Sequence, residues 1–209
     1  MHTLDDIREG DRIALTSLKV SIPALVMQMY ASQRDPRLDP GRFDKYTVPL
    51  PHREGMKALL RGAMGVTAHF TSPPFHQGER KQPDVRTILN SNDVMGGDTT
   101  FTMMYCQAKY RAEHPMVYMA VVKALEDAVA RIGADKPAAA KLLGKTGGTG
   151  DLDTDEIVDV LNDPAVVFTT TPQNVMKYAT FMHDIQSIPT GPAAWTDLFF
   201  PEIHGAHGS

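Results

Sequence analysis

One cysteine, Cys106, stands in 209 residues, so the chain closes no disulfide within itself and holds no Cys-x-x-Cys pair for metal or redox work. Long apolar runs are missing as well: no stretch approaches the ~18–20 residues that a membrane-spanning helix needs. Basic charge is in short supply, with 21 Lys and Arg against 25 Asp and Glu and a net charge of −4, which argues against a general grip on nucleic-acid phosphates. The opening Met-His-Thr-Leu-Asp-Asp has no basic segment followed by an apolar one, so no export signal is visible. The remainder, 42% hydrophobic and 22% charged, is the composition of an ordinary folded globule of one large or two small domains.

Short apolar stretches alternate with amphipathic ones, which predicts an α/β protein. Arg12 to Thr16 reads as a strand, and Ser21-Ile22-Pro23 opens a helix to about Ala31, with Ser21 as N-cap and Pro23 in the first turn. Tyr46 to Leu50 reads as a second strand. Pro51 starts a helix with Met56, Leu59, Leu60 and Ala63 on one face, ended by Gly62 and Gly65. Val66 to Phe70 is a third strand, stopped by Pro73 and Pro74, and Val85 to Leu89 a fourth. Residues 1–92 form one β/α lobe in this reading.

Asp93 to Asp98, with Gly96 and Gly97, reads as a flexible crossover into a second part, 93–209. Thr99 to Tyr105 is apolar and β-prone, and Val166 to Thr169 suits a short strand. The rest reads as helix. Pro115 to Ile132 has only a narrow polar face of Lys123, Glu126, Asp127 and Arg131, so it is expected to be covered on most sides, with Gly133 as C-cap. Helices over Asp135–Leu143 and Asp153–Leu161 flank a glycine loop, 144–150, and Thr171-Pro172 opens the last helix. The tail from Glu202 to Ser209 is polar and expected to be loose.

Few motifs point to catalysis. Gly144-Lys145-Thr146 resembles the close of a phosphate loop, but the required earlier glycine is Ala139 and the loop follows a helix. The eight histidines fall in no metal-ligand spacing. No Gly-x-Ser-x-Gly elbow is present, Cys106 reads as a buried inert thiol, and most of the twelve methionines read as core filler. Two features suit a binding pocket. His69 stands at a strand end, where α/β folds place ligands, although a satisfied structural histidine is the reading the residue type favours. Ser17-Leu-Lys-Val-Ser21 joins a strand to a helix N-terminus, where free N–H groups and hydroxyls suit an anion or a polar oxygen, although the local evidence favours plain capping by Ser21.

Several segments resemble periplasmic solute-binding proteins of nitrate, sulfonate and taurine ABC transporters and their pyrimidine-precursor-binding relatives. They are Thr3 to Leu15 with the Ser17–Ser21 turn, Gly55 to His69 with the following Ser72-Pro-Pro-Phe75, Lys109 to Pro115, Thr171 to Tyr178, and Trp195 to Glu202. The resemblance implies a type II periplasmic-binding fold, with one β/α lobe plus a mostly helical return segment of the other. The strand–helix units that open the family's first lobe are not found ahead of Thr3, so a truncated form is expected.

The family's mode of action is capture without chemistry: a small solute held between two lobes that close about a hinge. Ser17, Lys19 and Ser21 would then bind oxygens or an anion, His69, Thr71 and Phe75 would line the facing wall, and Gly96 and Gly97 would serve as hinge. No cofactor or metal is implied. The implied partners are the solute and the permease and ATPase subunits, with no nucleic acid and no membrane insertion, in the periplasm. An enzyme related to the fungal pyrimidine-precursor synthases is the alternative, weakened because those proteins carry a cysteine cluster and this chain has Cys106 alone.

Overall fold

A computed structural model describes residues 1–147, 149 and 152–209. It is a mixed helix-and-sheet protein, 53% helical, with a small parallel sheet. The chain divides into two compact units, Met1–Thr99 with Met176–Pro192, and Thr100–Val175 with Ala193–Ser209. No helix among the described residues is long and apolar enough to cross a membrane.

The first unit is built around strand β1 (Ile13–Leu15), buried along its whole length. Helix α1 (Ile22–Arg34) follows it, then a 3-10 segment (Pro40–Tyr46) and strand β2 (Thr47–Pro49). Helix α2 (His52–Arg61) leads to strand β3 (Ala68–His69). Both outer strands pair in parallel with β1, giving the order β2-β1-β3. Alternation along β1 sends its side chains to opposite faces. Ile13 and Leu15 meet Ala24, Met27 and Ala31 of α1 together with Phe43. Ala14 meets Ala58 of α2 and Val66. Helices therefore cover both faces, the reason a parallel strand can be apolar throughout.

Short helices α3 (Phe75–Arg80) and α4 (Ser91–Met95) complete the first pass through this unit. Val94 and Met95 of α4 pack on Val26 and Met29 of α1, with Tyr178 and Phe181 alongside. That contact buries the side of α1 turned away from the sheet. The boundary expected at residue 92 lies inside α4, and the compact unit runs on to Thr99.

The second unit holds α5 (Ala108–Glu113), α6 (Pro115–Ala134), α7 (Lys136–Lys145) and α8 (Thr154–Asn162). Helix α9 (Val175–Asp184) begins at its edge and belongs mostly to the first unit. Ala140 of α7 packs on Ile157 and Leu161 of α8. Asp135 and Asp153 cap α7 and α8 by accepting the Ala138 and Glu156 N–H groups.

Several expectations are corrected. The β-prone stretches 85–89, 99–105 and 166–169 form no strand. β3, two residues long, offers too short an edge for a fourth strand. Thr100 N–H donates to Gln173 O, but no ladder develops from that bond among the described residues. No residue of α6 is buried; Met116, Val117 and Met119 face solvent. Gly133 lies inside α6, and Asp135 is its C-cap. The last helix starts at Val175, three residues beyond Pro172.

Met103 and Met104 are exposed and Cys106 is half-buried, so the core-filler and buried-thiol readings do not hold there. Gly144 and Lys145 end α7 in place of forming a loop, and Gly148 and Gly150 lie outside the described residues. The tail is tied down. Arg111 donates to Glu202, Tyr118 Oη donates to Glu202 Oε2 at 3.0 Å, and Val175 N–H donates to Ser209 O at 2.8 Å.

Candidate ligand site

Strand order places the site. The chain passes from β1 to β2 on one side and then returns to lay β3 on the other side of β1. In open parallel sheets a ligand crevice lies outside the carboxyl ends of two strands where the order reverses in this way, here β1 and β3. The loops leaving those ends are 16–21 and 70–74, and they carry all the residues expected to bind a ligand apart from the strand-end His69 and Phe75, the first residue of α3.

On the β3 side, five side chains from three elements and the loop 70–74 come together. His69 ends β3, and its ring is fully enclosed; Nδ1 lies 2.6 Å from Oε1 of Glu79 on α3, which is 5% exposed. The other ring nitrogen, Nε2, is buried without a hydrogen-bond partner. It abuts Gly55 of α2, where a Cβ would stand 2.5 Å away, so this helix tolerates only glycine there. His52, the first residue of α2, lies between the other rings. Its Nδ1 is 2.9 Å from Thr71 Oγ1, its ring stacks on Phe75 at 5.6 Å, and it tilts against His69 at 5.8 Å. Burial, reinforced by neighbouring His69 and opposed by the Glu79 charge, holds the His52 imidazole below its ordinary pKa of 6.5. At neutral pH it is an uncharged ring that offers one hydrogen bond on its free edge.

The β1 side is less available than expected. Ser21 caps α1: its Oγ accepts from Ala24 N–H at 3.4 Å and donates to Ser17 O at 2.6 Å. Leu25 N–H donates to Ser21 O, and Pro23 has no N–H, which leaves the Ile22 N–H for an incoming anion. Lys19 is exposed, adopts a left-handed backbone (φ 66°), and acts on the carboxyl of Asp44. Burial raises that carboxyl, while the Gln28 hydrogen bond and the Lys19 charge pull it back.

Gly96 and Gly97 lie at the C-terminus of α4. Gly96 is its left-handed C-cap (φ 72°), and both of their N–H groups donate to Asn92 O. The last carbonyls of α4 are also taken: Gln33 donates to Val94 O at 2.9 Å, and Lys177 Nζ of α9 donates to Met95 O.

His52, Gly55 and Glu79 escape a reading of the sequence alone. The rule that picks out His69, a ligand near a strand end, applies equally to His52 three residues beyond β2, but Pro51 there reads simply as a helix start. Glu79 falls in a polar stretch and meets His69 across ten residues, a spacing with no local periodicity. Among the described residues no three His, Cys, Asp or Glu are arranged to hold a metal ion. Comparison with models of protein families, with curated proteins and with solved structures finds no match to this chain.

Proposed function

We propose that this chain is the solute-binding component of an ABC importer of the nitrate, sulfonate and taurine type, working in the periplasm without chemistry. In this reading the fold is of the type II periplasmic-binding class, and the first unit's sheet belongs to its second lobe. The observation that carries the reading is the placement of the loops 16–21 and 70–74 at the carboxyl ends of adjacent parallel strands, with His52, His69, Thr71 and Phe75 gathered beside them. The family resemblance of the same segments supports it.

Ser17, Ser21, Thr71 and the exposed edge of His52 bind the solute's polar atoms, and Phe75 packs against its body. Lys19, exposed on the same loop, supplies long-range attraction. Gly96 and Gly97 serve as hinge. Permease and ATPase subunits recognise the closed form, which the solute stabilises because it bonds better there than in the open one.

One observation favours an enzyme instead: the Glu79–His69 pair is the start of a general-base device. Its remaining nitrogen, however, faces the backbone of Gly55 and not an open crevice. Thermal-shift and calorimetric titration with taurine, methanesulfonate, nitrate, short carboxylates and aminopyrimidines tests the proposal. A true solute at 100 times its Kd adds about 2.7 kcal/mol to the stability of the unit that binds it. No shift with any solute would refute binding, and mass-spectrometric detection of an altered solute would replace capture with catalysis.

A further inference from the structure

Between Asp98 and Lys109 run ten residues, Thr-Thr-Phe-Thr-Met-Met-Tyr-Cys-Gln-Ala, with no charge, proline or glycine among them. Threonine and aromatic side chains favour a strand here. The backbone from Asp98 to Gln107 makes no turn or bend, and no residue of it has a positive φ, so it runs extended. It nevertheless joins no sheet. Gln173 holds Thr100 by two hydrogen bonds, but from Phe101 to Cys106 no backbone N–H or C=O has a hydrogen-bond partner among the described residues.

Folded proteins normally blunt such a free edge with lysine or proline, and this one has neither. Phe101, Met103, Met104 and Tyr105 are all exposed, Tyr105 at 93%. Alternation along an extended chain places residues 101, 103 and 105 on one side and 102, 104 and 106 on the other.

The ends of the run choose its partner. Acidic Asp98, bonded to Asn92, closes one end, and basic Lys109, 3.8 Å from Glu113, closes the other. A second copy laid antiparallel brings the acidic end of each to the basic end of the other. Laid parallel, it would set like charges side by side. One antiparallel register also opposes Phe101 of each copy to Tyr105 of the other, about a twofold axis at Met103, and so makes two aromatic cross-strand pairs. Moving the axis to Met104 opposes Phe101 to Gln107 and loses both.

We propose that residues 101–105 are a self-docking strand, through which two copies of this chain pair antiparallel with Met103 facing Met103. Pairing gives hydrogen-bond partners to backbone groups that lack them in one copy, and it uses no residue of the candidate ligand site. A two-stranded ribbon of this length is marginal, so the dimer is weak and depends on concentration.

Sedimentation velocity of the full chain, from about 10 µM to about 1 mM, is the first test. A rise in mean mass from the 23.0 kDa monomer toward the dimer is expected. Met103→Lys, which puts like charges across the axis, is expected to weaken the dimer about tenfold. Position-specific disulfides are the second test. With Cys106→Ser removing the native thiol, Met103→Cys and Met104→Cys are compared in a glutathione redox buffer. Position 103 faces itself across the axis, whereas 104 faces Thr102, so Met103→Cys should link about tenfold more dimer. Met103 and Met104 are exposed, so their replacement leaves the fold intact, which circular dichroism checks. A chain that stays monomeric throughout overturns the inference. So does a dimer that Met103→Lys leaves unchanged, or a disulfide yield at 104 that equals or exceeds the yield at 103.

Discussion

Gly55→Ala tests the packing on which the candidate site stands. The new methyl would sit 2.5 Å from His69 Nε2, 2.8 Å from Cδ2 and 3.0 Å from Cε1. Ordinary contact begins at 3.4 Å, so the ring has to retreat by about 0.9 Å. It has nowhere to go, because the ring is fully enclosed and Nδ1 is already 2.6 Å from Glu79. Overpacking of this kind costs about 1–3 kcal/mol. Ejecting the ring would cost about 3–5 kcal/mol, since it strands a buried carboxylate. The gain in helix propensity from glycine to alanine offsets about 1 kcal/mol.

The net loss expected for Gly55→Ala is therefore about 1 kcal/mol. In urea titrations followed by far-ultraviolet circular dichroism it moves the midpoint down by about 0.5 M. The sign reverses in a His69→Ala background, where the space is open and only the propensity gain of about 1 kcal/mol remains. A coupling of about 2 kcal/mol between the two positions follows. Equal effects of Gly55→Ala in both backgrounds, or a neutral effect in the wild type, would refute the reasoning.

Gly96→Ala places a β-carbon on a left-handed residue (φ 72°) and 3.0 Å from Lys177 Nζ, so a loss of about 1–2 kcal/mol is expected in the same titration. Gly133→Ala, in α6 with nothing within 4 Å, is the contrast and should stabilise by about 0.5–1 kcal/mol. Glu202 gives a pH prediction. The Arg111 hydrogen bonds hold its carboxyl below the ordinary 4.5, so its contribution is complete above that pH and is lost as pH falls through the lower folded value. Amide exchange in the tail from Phe199 to Ser209 should speed up in that window in the wild type. In Glu202→Gln it should be fast at both ends, and an unchanged acid response in the variant would rule the pair out as its source.

The central strands were legible because each is a short apolar run bounded by turn residues, and Ser21 and Pro23 mark the start of α1 by chemistry that acts within a few residues. Val85–Leu89 carries the same apolar signal and yet stays unpaired: a strand needs a partner edge, and sequence does not show which edges are free. Gly133 misled for a related reason, since glycine ends a helix only where the backbone turns left-handed, and here the backbone continues to Ala134. In the site, His69 follows from its place at the end of β3, whereas Thr71 and Phe75 are implied only by the family resemblance. His52, 19 residues before Thr71, was hidden because only the folded sheet makes those positions neighbours.

Trp195 gives the two units separate voices. It is the lone indole of the chain, it belongs to the second unit, and it rests on Phe199, His204 and Gly208. Its emission therefore reports on the packing of that unit. Comparing emission with circular dichroism during unfolding would show whether the halves melt together or in turn.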